Sequence, residues 1–181
     1  RSMHHRIIAF ERDKEFFDGA RETGYGGFNY DGRWLEISKN MCEDYQLTSE
    51  SSVLQINCEK GFLLNDFLQI HAEMEVRGTE TSQYAMQNAM ASVQEKINLA
   101  SPLKLHFPDN TFDFVIGLGV VYAFTIPDAI TSLREIQRVT KGNSFITLAS
   151  YQTEEEFWLF KHWTLLGNLL LKKNEWLEIM Q

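Results

Sequence analysis

Short apolar runs alternate along the chain with segments whose apolar residues recur every three or four positions. The first pattern predicts buried strands and the second predicts amphipathic helices. Five runs are predicted to be strands: VLQI (53–56), EVRGT (75–79), KINLA (96–100), FDFVIGLGV (112–120) and SFITLASY (144–151). Strand and helix in alternation are typical of an α/β fold, in which helices cover both faces of a mostly parallel sheet. Such a doubly wound sheet binds ligands where the chain order reverses, here the turn after the first strand.

The helices are predicted from their caps and apolar stripes. They are residues 62–70, a segment capped by Ser82, a segment capped by Thr125, a segment opened by the capping box of Thr153 and Glu156, and residues 173–180. TKGN (140–143) is predicted to end the helix that Thr125 begins. SFITLASY is continuous enough in apolar residues to be predicted inside the sheet.

Composition narrows the possible partners. The 17 basic and 25 acidic residues give a net charge of −8, which disfavours nucleic acid, because binding to phosphates depends on clustered Lys and Arg. No apolar run approaches the roughly 20 residues of a membrane span, and a secretion signal is not evident, so no membrane partner is expected. Cys42 and Cys58 form neither a disulfide framework nor a metal-ligand pattern, which favours a reducing cytoplasmic setting and predicts no metal.

The first 34 residues are predicted to form an N-terminal arm. Residues 10–34 are rich in glycine and aromatic side chains, unlike the rest of the chain. Two interpretations stay open: a lid over a binding site, or an arm held by its aromatic side chains without contact to a ligand. The opening RSMHHR is left out of functional reasoning, and His4 and His5 are expected to be disordered.

The turn after the first strand, INCEKG, carries the candidate chemistry. A turn that binds a nucleotide-like cofactor favours glycine, because its backbone passes close to the ligand. Asn57 and Glu59 stand where a dinucleotide-binding turn has glycines, and Gly61 remains. Glu59 would repel a pyrophosphate but would tolerate a cation, so the turn suits S-adenosylmethionine, which carries a sulfonium and an ammonium group.

Glu80 supplies a second part of the pattern. It follows the second predicted strand and lies 19 residues after Gly61, close to the spacing of about 20 at which an acidic residue accepts hydrogen bonds from ribose hydroxyls. A simpler interpretation is an acidic residue at a helix start that interacts with the helix dipole.

Four stretches together resemble the successive motifs of a class I S-adenosylmethionine-dependent methyltransferase: VLQINCEKGFLL, VRGTETSQYAMQNA, FPDNTFDFVIGLGVVYAF and LREIQRVTKGNSFITLASY. The preceding GYGGFNYDGRW resembles the preface of a bacterial small-molecule subgroup. The resemblance covers about residues 15 to 180 and implies a Rossmann-like sheet of strand order 3-2-1-4-5. It also implies S-adenosylmethionine as the cofactor.

The resemblance further implies a set of site residues. Those implied to contact the cofactor are Tyr25, Gln55, Asn57, Cys58, Glu59, Gly61, Glu80, Thr81, Ser101, Pro102, Gly117, Leu118 and Gly119. Those implied to contact the substrate are Arg33, Trp34 and Tyr122. A plain surface arginine is an equal alternative for Arg33.

Departures from the family pattern leave the catalytic residues unknown. Ser101 replaces the usual Asp or Asn of the adenine loop, and Gly119 and Tyr122 replace polar residues that often follow the fourth strand. No general base is evident there; His106 and His162 are the remaining histidine candidates, each with a structural or exposed role as the alternative. Two functions therefore stay open: methyl transfer to a small molecule, or a non-catalytic module that has lost cofactor binding.

The core, residues 35–181, is expected to be incomplete at its C-terminal end. Family members usually add two strands, six and seven, which this sequence lacks after SFITLASY. A fifth strand without those neighbours would be an edge with unpaired backbone groups. Either the chain is truncated there or a partner chain covers the gap, and we predict a tendency to aggregate or to form a homodimer through that edge or through the apolar helix at 157–170. An alternative role for the same helix is to cover the substrate.

Overall fold

A computed structural model describes residues 1–181 and contains one five-stranded parallel sheet. Its strands are β1 (Ser52–Ile56), β2 (Glu75–Glu80), β3 (Ile97–Leu99), β4 (Phe112–Gly117) and β5 (Thr140–Ile146). The strand order is β3-β2-β1-β4-β5, and every neighbouring pair is parallel. The predicted α/β, Rossmann-like fold and its 3-2-1-4-5 order are confirmed. The chain order reverses between β1 and β4, which is where such sheets bind ligands.

Helices occupy both faces of the sheet. They are α1 (Met3–Phe10), α2 (Lys14–Phe17), α3 (Arg21–Gly24), α4 (Trp34–Asp44), α5 (Phe62–Ile70), α6 (Gln83–Gln87), α7 (Ile126–Val139), α8 (Glu154–Trp163) and α9 (Lys173–Ile179), with short 3-10 turns at 94–96 and 121–123. Alternate residues of β1 face opposite layers: Val53 packs in a cluster with Phe67 of α5, and Leu54 packs in a cluster with Ile136 of α7. All five residues of β1 are buried, as expected of a central strand covered on both faces.

The N-terminal segment packs against the core. Phe16 and Phe17 are buried in a cluster with Ala85 and Leu165. Asp18 forms an ion pair with Lys60 and accepts a hydrogen bond from the Tyr84 hydroxyl at 2.7 Å. His4 and His5 lie in α1, which begins with a capping box between Ser2 and His5, so the expectation of disorder there is wrong. The capping box satisfies the free backbone N–H groups of the first turn.

The fifth strand differs from its prediction. It begins at Thr140, directly after α7, so that TKGN forms the start of the strand. The pairing with β4 begins at Phe112↔Thr140 and shifts register before Phe114↔Asn143. Lys141 to Ser144 are exposed, because β5 pairs on one side only and is the edge of the sheet. The strand therefore does not lie inside the sheet, and it ends at Ile146.

The C-terminal helices begin as predicted, but α8 ends at Trp163, so the expectation of a helix reaching residue 170 is wrong. Thr153 and Glu156 form the capping box of α8, and α9 buries Trp176, whose Nε1 donates to the Ala149 carbonyl at 2.7 Å. The aromatic side chains of α8 are only partly covered: Trp158 and Trp163 are each about half exposed. No helix of the chain combines the length and the apolar character that crossing a membrane requires.

Candidate functional site

The turn between β1 and α5 keeps a glycine-like shape without glycines at two of its positions. Asn57 has φ 49°, Glu59 has φ 56°, and Gly61 has φ 73°. The left-handed conformation costs a residue with a side chain about 1–2 kcal/mol, Asn somewhat less. A Cβ added at Gly61 would meet Cγ2 of Val93 at 2.6 Å, so glycine is required there. Backbone strain held at two nearby positions is typical of functional sites.

Glu80 lies directly beneath this turn. Its side chain is fully buried at the end of β2. Three backbone N–H groups donate to the carboxylate: that of Glu59 at 2.8 Å, that of Thr81 at 2.8 Å and that of Ser82 at 2.9 Å. Hydrogen bonds to a charged acceptor are stronger than neutral ones, so the carboxylate fixes the turn to the end of β2.

A residue from the N-terminal arm completes the partners of Glu80. Nη2 of Arg12 lies 3.0 Å from Oε1 and 3.2 Å from Oε2 of Glu80. The guanidinium carbon lies 5.3 Å from the ring centre of Phe16 and 5.4 Å from that of Phe17. Sequence reasoning missed Arg12. Its closeness to this aromatic pair in the sequence is the only signal that could have pointed to it.

The turn borders a cavity of about 280 Å³. The cavity is lined by Phe28, Trp34, Gln55, Asn57, Cys58, Glu59, Lys60, Phe62, Leu63, Leu118 and Gly119. Oε1 of Gln55 and Oδ1 of Asn57 are buried there without a hydrogen-bond partner. An unpaired buried amide oxygen costs about 1–3 kcal/mol, so both oxygens are unsatisfied acceptors in the wall of the cavity.

A second cavity, of about 410 Å³, is bordered by Arg12 and by Ser101 and Pro102 beyond the end of β3. Thr81, Ser101 and Pro102 line it together with the apolar side chains of Val120 and Phe124. A smaller space of about 110 Å³ is lined by the aromatic side chains of Phe16, Tyr25, Phe28 and Tyr122. Asn57 and Gly119 line all three spaces, which therefore form one cleft at the carboxyl ends of the strands.

The cleft holds a carboxyl group without a fixed partner. The half-buried side chain of Glu59 lines two of the three spaces and accepts no hydrogen bond. Burial raises the pKa of Glu59 to about 7; the negative charge of Glu80 acts in the same direction, and Arg12 and Lys60 oppose it. Burial also raises the pKa of the Cys58 thiol, which stays protonated at neutral pH. A cationic group bound beside Glu59 would favour the charged form of its carboxyl group.

The other candidate residues lie as follows. Arg33 is exposed and pairs with Asp31, Gly117 is buried at the end of β4, and His106 and His162 are exposed. None of these four lines the three spaces of the cleft. The hydroxyl of Tyr25 accepts a hydrogen bond from the backbone N–H of Leu165 at 3.0 Å, and the ring packs against Trp163.

A family model described as methyltransferase domain matches residues 54–148, which include the turn, Glu80 and the greater part of the sheet. The match covers more than half of the chain. The chain belongs to the class I S-adenosylmethionine-dependent methyltransferases. The resemblance given by its sequence motifs is thereby confirmed.

Individual methyltransferases are similar to only part of the chain. The chain is 32% identical over 120 residues to an uncharacterized methyltransferase of Schizosaccharomyces pombe, covering 58% of this chain and 42% of that protein. It is 35% identical over 86 residues to a demethylmenaquinone methyltransferase of Bacillus licheniformis, covering 44% of this chain and 36% of that one. It thus spans less than half the length of these relatives. The crystal structure of YcgJ from Bacillus subtilis superimposes with a TM-score of 0.64 at 18% identity, covering 82% of this chain and 66% of that chain, which shows the shared fold.

Proposed function

We propose that the protein binds S-adenosylmethionine in this cleft and transfers its methyl group to a small-molecule acceptor. The observation that carries the proposal is the strained turn at Asn57 and Glu59, joined by a backbone hydrogen bond to the buried carboxylate of Glu80. Asn57 and Glu59 lack the conformational freedom of glycine, yet they adopt the left-handed backbone conformation that glycine usually supplies in such turns. The turn lies at the point where ligands of doubly wound sheets bind.

The side chains of the cleft match the parts of this cofactor. The unpaired oxygens of Gln55 and Asn57 would accept hydrogen bonds from an ammonium group. The buried carboxylate of Glu80, which lines none of the three spaces, and Thr81 of the second cavity would hold the ribose hydroxyls. Ser101 and Pro102 line the second cavity with Val120 and Phe124, a largely apolar surface suited to the flat face of adenine.

The side chains of the protein would position the acceptor beside the cofactor and exclude water from the cleft. The cofactor supplies an activated methyl group, so an acceptor that is already nucleophilic needs mainly orientation. Trp34 and Phe28 cover the cavity beside the turn, and Tyr122 faces the aromatic space next to Glu59. The carboxyl group of Glu59, with its pKa near 7, is the group in the cleft able to accept a proton from an acceptor at neutral pH.

The aromatic space favours a small acceptor with an apolar or planar part. Its four aromatic side chains surround about 110 Å³, which accommodates a few atoms beside the cofactor. One relative is a methyltransferase that acts, by its name, on demethylmenaquinone. The acidic net charge of the chain also disfavours a nucleic-acid acceptor.

We also propose a homodimer through the exposed aromatic face of α8 or the open edge of β5. Trp158 and Trp163 are about half exposed, and β5 pairs on one side only. Open strand edges and apolar surface patches are common sites of association. Light scattering is expected to show a dimer. A monodisperse monomer would contradict this part of the proposal.

A second candidate function is a methyltransferase-like binding module without cofactor. The observation that favours it is the bond between Arg12 and Glu80, because the guanidinium already occupies the carboxylate intended for the ribose. In such a module Arg12 would be a permanent structural partner of Glu80, and the cleft would not accept a nucleoside.

Calorimetry separates the two functions. The titrants are S-adenosylmethionine and S-adenosylhomocysteine, and the proteins are the wild type, Glu80→Ala and, as a matched control, Glu75→Ala at the exposed start of the same strand. If the protein is a methyltransferase, both ligands should bind the wild type and the Glu75→Ala control. Glu80→Ala should weaken this affinity by about a hundredfold or more. No heat with the folded wild type at millimolar ligand would favour the module.

A further inference from the structure

Arg12 is the only partner of the Glu80 carboxylate that comes from outside the turn and the β2–α6 connection. A carboxylate offers about four acceptor positions. The N–H groups of Thr81 and Ser82 use Oε1, together with the Thr81 hydroxyl at 3.2 Å, and the N–H of Glu59 uses Oε2. One acceptor position on Oε2 is left, and Arg12 Nη2 covers it at 3.2 Å while lying 3.0 Å from Oε1.

The backbone donors cannot leave without unfolding the end of β2 and the turn. A ligand hydroxyl that binds Glu80 must therefore take the place of the guanidinium. Arg12 also borders both the small aromatic space and the second cavity, where the nucleoside part of a ligand would lie. Its side chain consequently stands between the turn and the adenine side of the cleft.

Arg12 is held in a way that permits release. It lies in the turn between α1 and α2 with φ 48°, a left-handed conformation that is unfavourable for arginine. Its Nε is buried and has no hydrogen-bond partner, so the guanidinium is only partly satisfied in this position. Its backbone carbonyl accepts a hydrogen bond from the Ser82 hydroxyl. The side chain can therefore leave Glu80 while the backbone of the turn remains attached to the core.

We propose that Arg12 is a latch that competes with the ribose of the cofactor for Glu80 and so sets the affinity of the cleft for nucleosides. This inference rests on the proposed function. The closed state reduces the fraction of protein able to bind, and the apparent dissociation constant rises by the same factor. Because the ribose is common to S-adenosylmethionine and S-adenosylhomocysteine, the latch weakens both ligands equally and favours release of the product.

Arg12→Met tests the latch, because methionine keeps the length and the packing on Phe16 and Phe17 but has no donor. We expect S-adenosylmethionine and S-adenosylhomocysteine each to bind about tenfold to a hundredfold more tightly to the variant, by the same factor. Methionine, which has no ribose, is expected to show no such gain. Arg6→Gln is the matched control: Arg6 belongs to the same arm and bonds the Lys161 carbonyl, away from Glu80, so affinity should stay at the wild-type value.

The outcomes distinguish this inference from the proposed function. If the wild type binds both ligands and folded Arg12→Met binds them no more tightly, the latch is overturned and the proposed function stands. A gain for one of the two ligands only would also overturn it, because the competition is for the shared ribose. Neither protein binding at millimolar ligand would overturn both proposals.

A measurement on the wild type serves if Arg12→Met does not fold, since the variant leaves the Glu80 charge buried without a cation. In NMR spectra of the wild type, saturating S-adenosylhomocysteine is expected to slow exchange of the amides of residues 57–61 and to shift the Arg12 side-chain Nε–H signal, because the guanidinium leaves its buried position on Glu80. An Arg12 Nε–H signal that the ligand leaves unchanged, with protection at residues 57–61, would contradict the latch.

Discussion

The backbone N–H of Glu59 donates a hydrogen bond to Oε2 of Glu80 over 2.8 Å. Strands β1 and β2 are parallel and in register, with Ile56 opposite Thr79, so the residues that follow the two strands meet at one edge of the sheet. The left-handed turn points the N–H of Glu59 at the carboxylate. The shape of the turn and the position of the acid therefore depend on each other.

Gly61→Ala is expected to destabilise the fold more than Gly32→Ala. Both glycines have similar positive φ values, 73° and 75°, so both substitutions cost about 1–2 kcal/mol of backbone strain. Only the Cβ at position 61 meets another atom, Cγ2 of Val93 at 2.6 Å; nothing lies within 4 Å of the Cβ at position 32. Overpacking adds about 1–3 kcal/mol. Chemical denaturation measures the difference, and equal losses of stability would refute the packing argument.

The stability of the ligand-free protein should fall as the pH rises from about 4.5 to about 7. Burial and the charge of Glu80 raise the pKa of Glu59 to about 7, from an ordinary value of 4.5. The folded state thus holds a proton that the unfolded state has lost, and its stabilising effect is present below pH 4.5 and lost through pH 7. The charged groups that act on it are Arg12, Glu80 and Lys60.

The matched variant for this pH dependence is Glu59→Gln, which keeps the size and the backbone of the side chain but does not titrate. Denaturation free energies of both proteins at several pH values isolate the contribution of Glu59, because all other titrating groups are shared. The wild-type curve should fall relative to that of the variant in this window. Parallel curves would show that the pKa of Glu59 is not raised.

Arg138→Ala should lower the free energy of unfolding by about 2 kcal/mol. The Arg138 side chain joins α7 to the loop before β4: it pairs with Glu135 and Asp109 and donates to the carbonyls of Leu105 and Phe107, each at 2.8 Å.

Arg134→Ala is the control for Arg138. Arg134 lies on the same helix, is exposed and forms no ion pair, so its loss should change stability by no more than about 0.5 kcal/mol. Denaturant titration of both variants gives the comparison. Equal effects of the two substitutions would mean that the links to the loop contribute nothing.

Much of the core could be predicted from local sequence. The helix at 62–70 and the capping box at Thr153 follow from apolar spacing and from the free N–H groups of a first helical turn, both of which are local properties. The position of the turn at the carboxyl end of β1 follows from the alternation of strand and helix. Together with the spacing between Gly61 and Glu80, this alternation is enough to predict that the turn and the acid lie side by side.

The remaining features depend on tertiary contacts. Burial does not reveal where β5 begins, because Thr140 to Ser144 are held by backbone pairing with β4 at an exposed edge and have no apolar pattern. Arg12 is 68 residues from Glu80, and no periodicity selects it among the charged residues of the arm. Arg33, by contrast, pairs with the neighbouring Asp31 at the surface, the alternative that its sequence position left open.

A crystal structure with S-adenosylhomocysteine bound would test cofactor binding and the latch most directly. We expect the ribose hydroxyls to bond the Glu80 carboxylate, the amino-acid part to lie beside Gln55 and Asn57, and the Arg12 guanidinium to have left Glu80. A structure in which Arg12 remains on Glu80 while the nucleoside binds elsewhere, or in which the folded protein excludes the ligand from the cleft, would contradict both proposals.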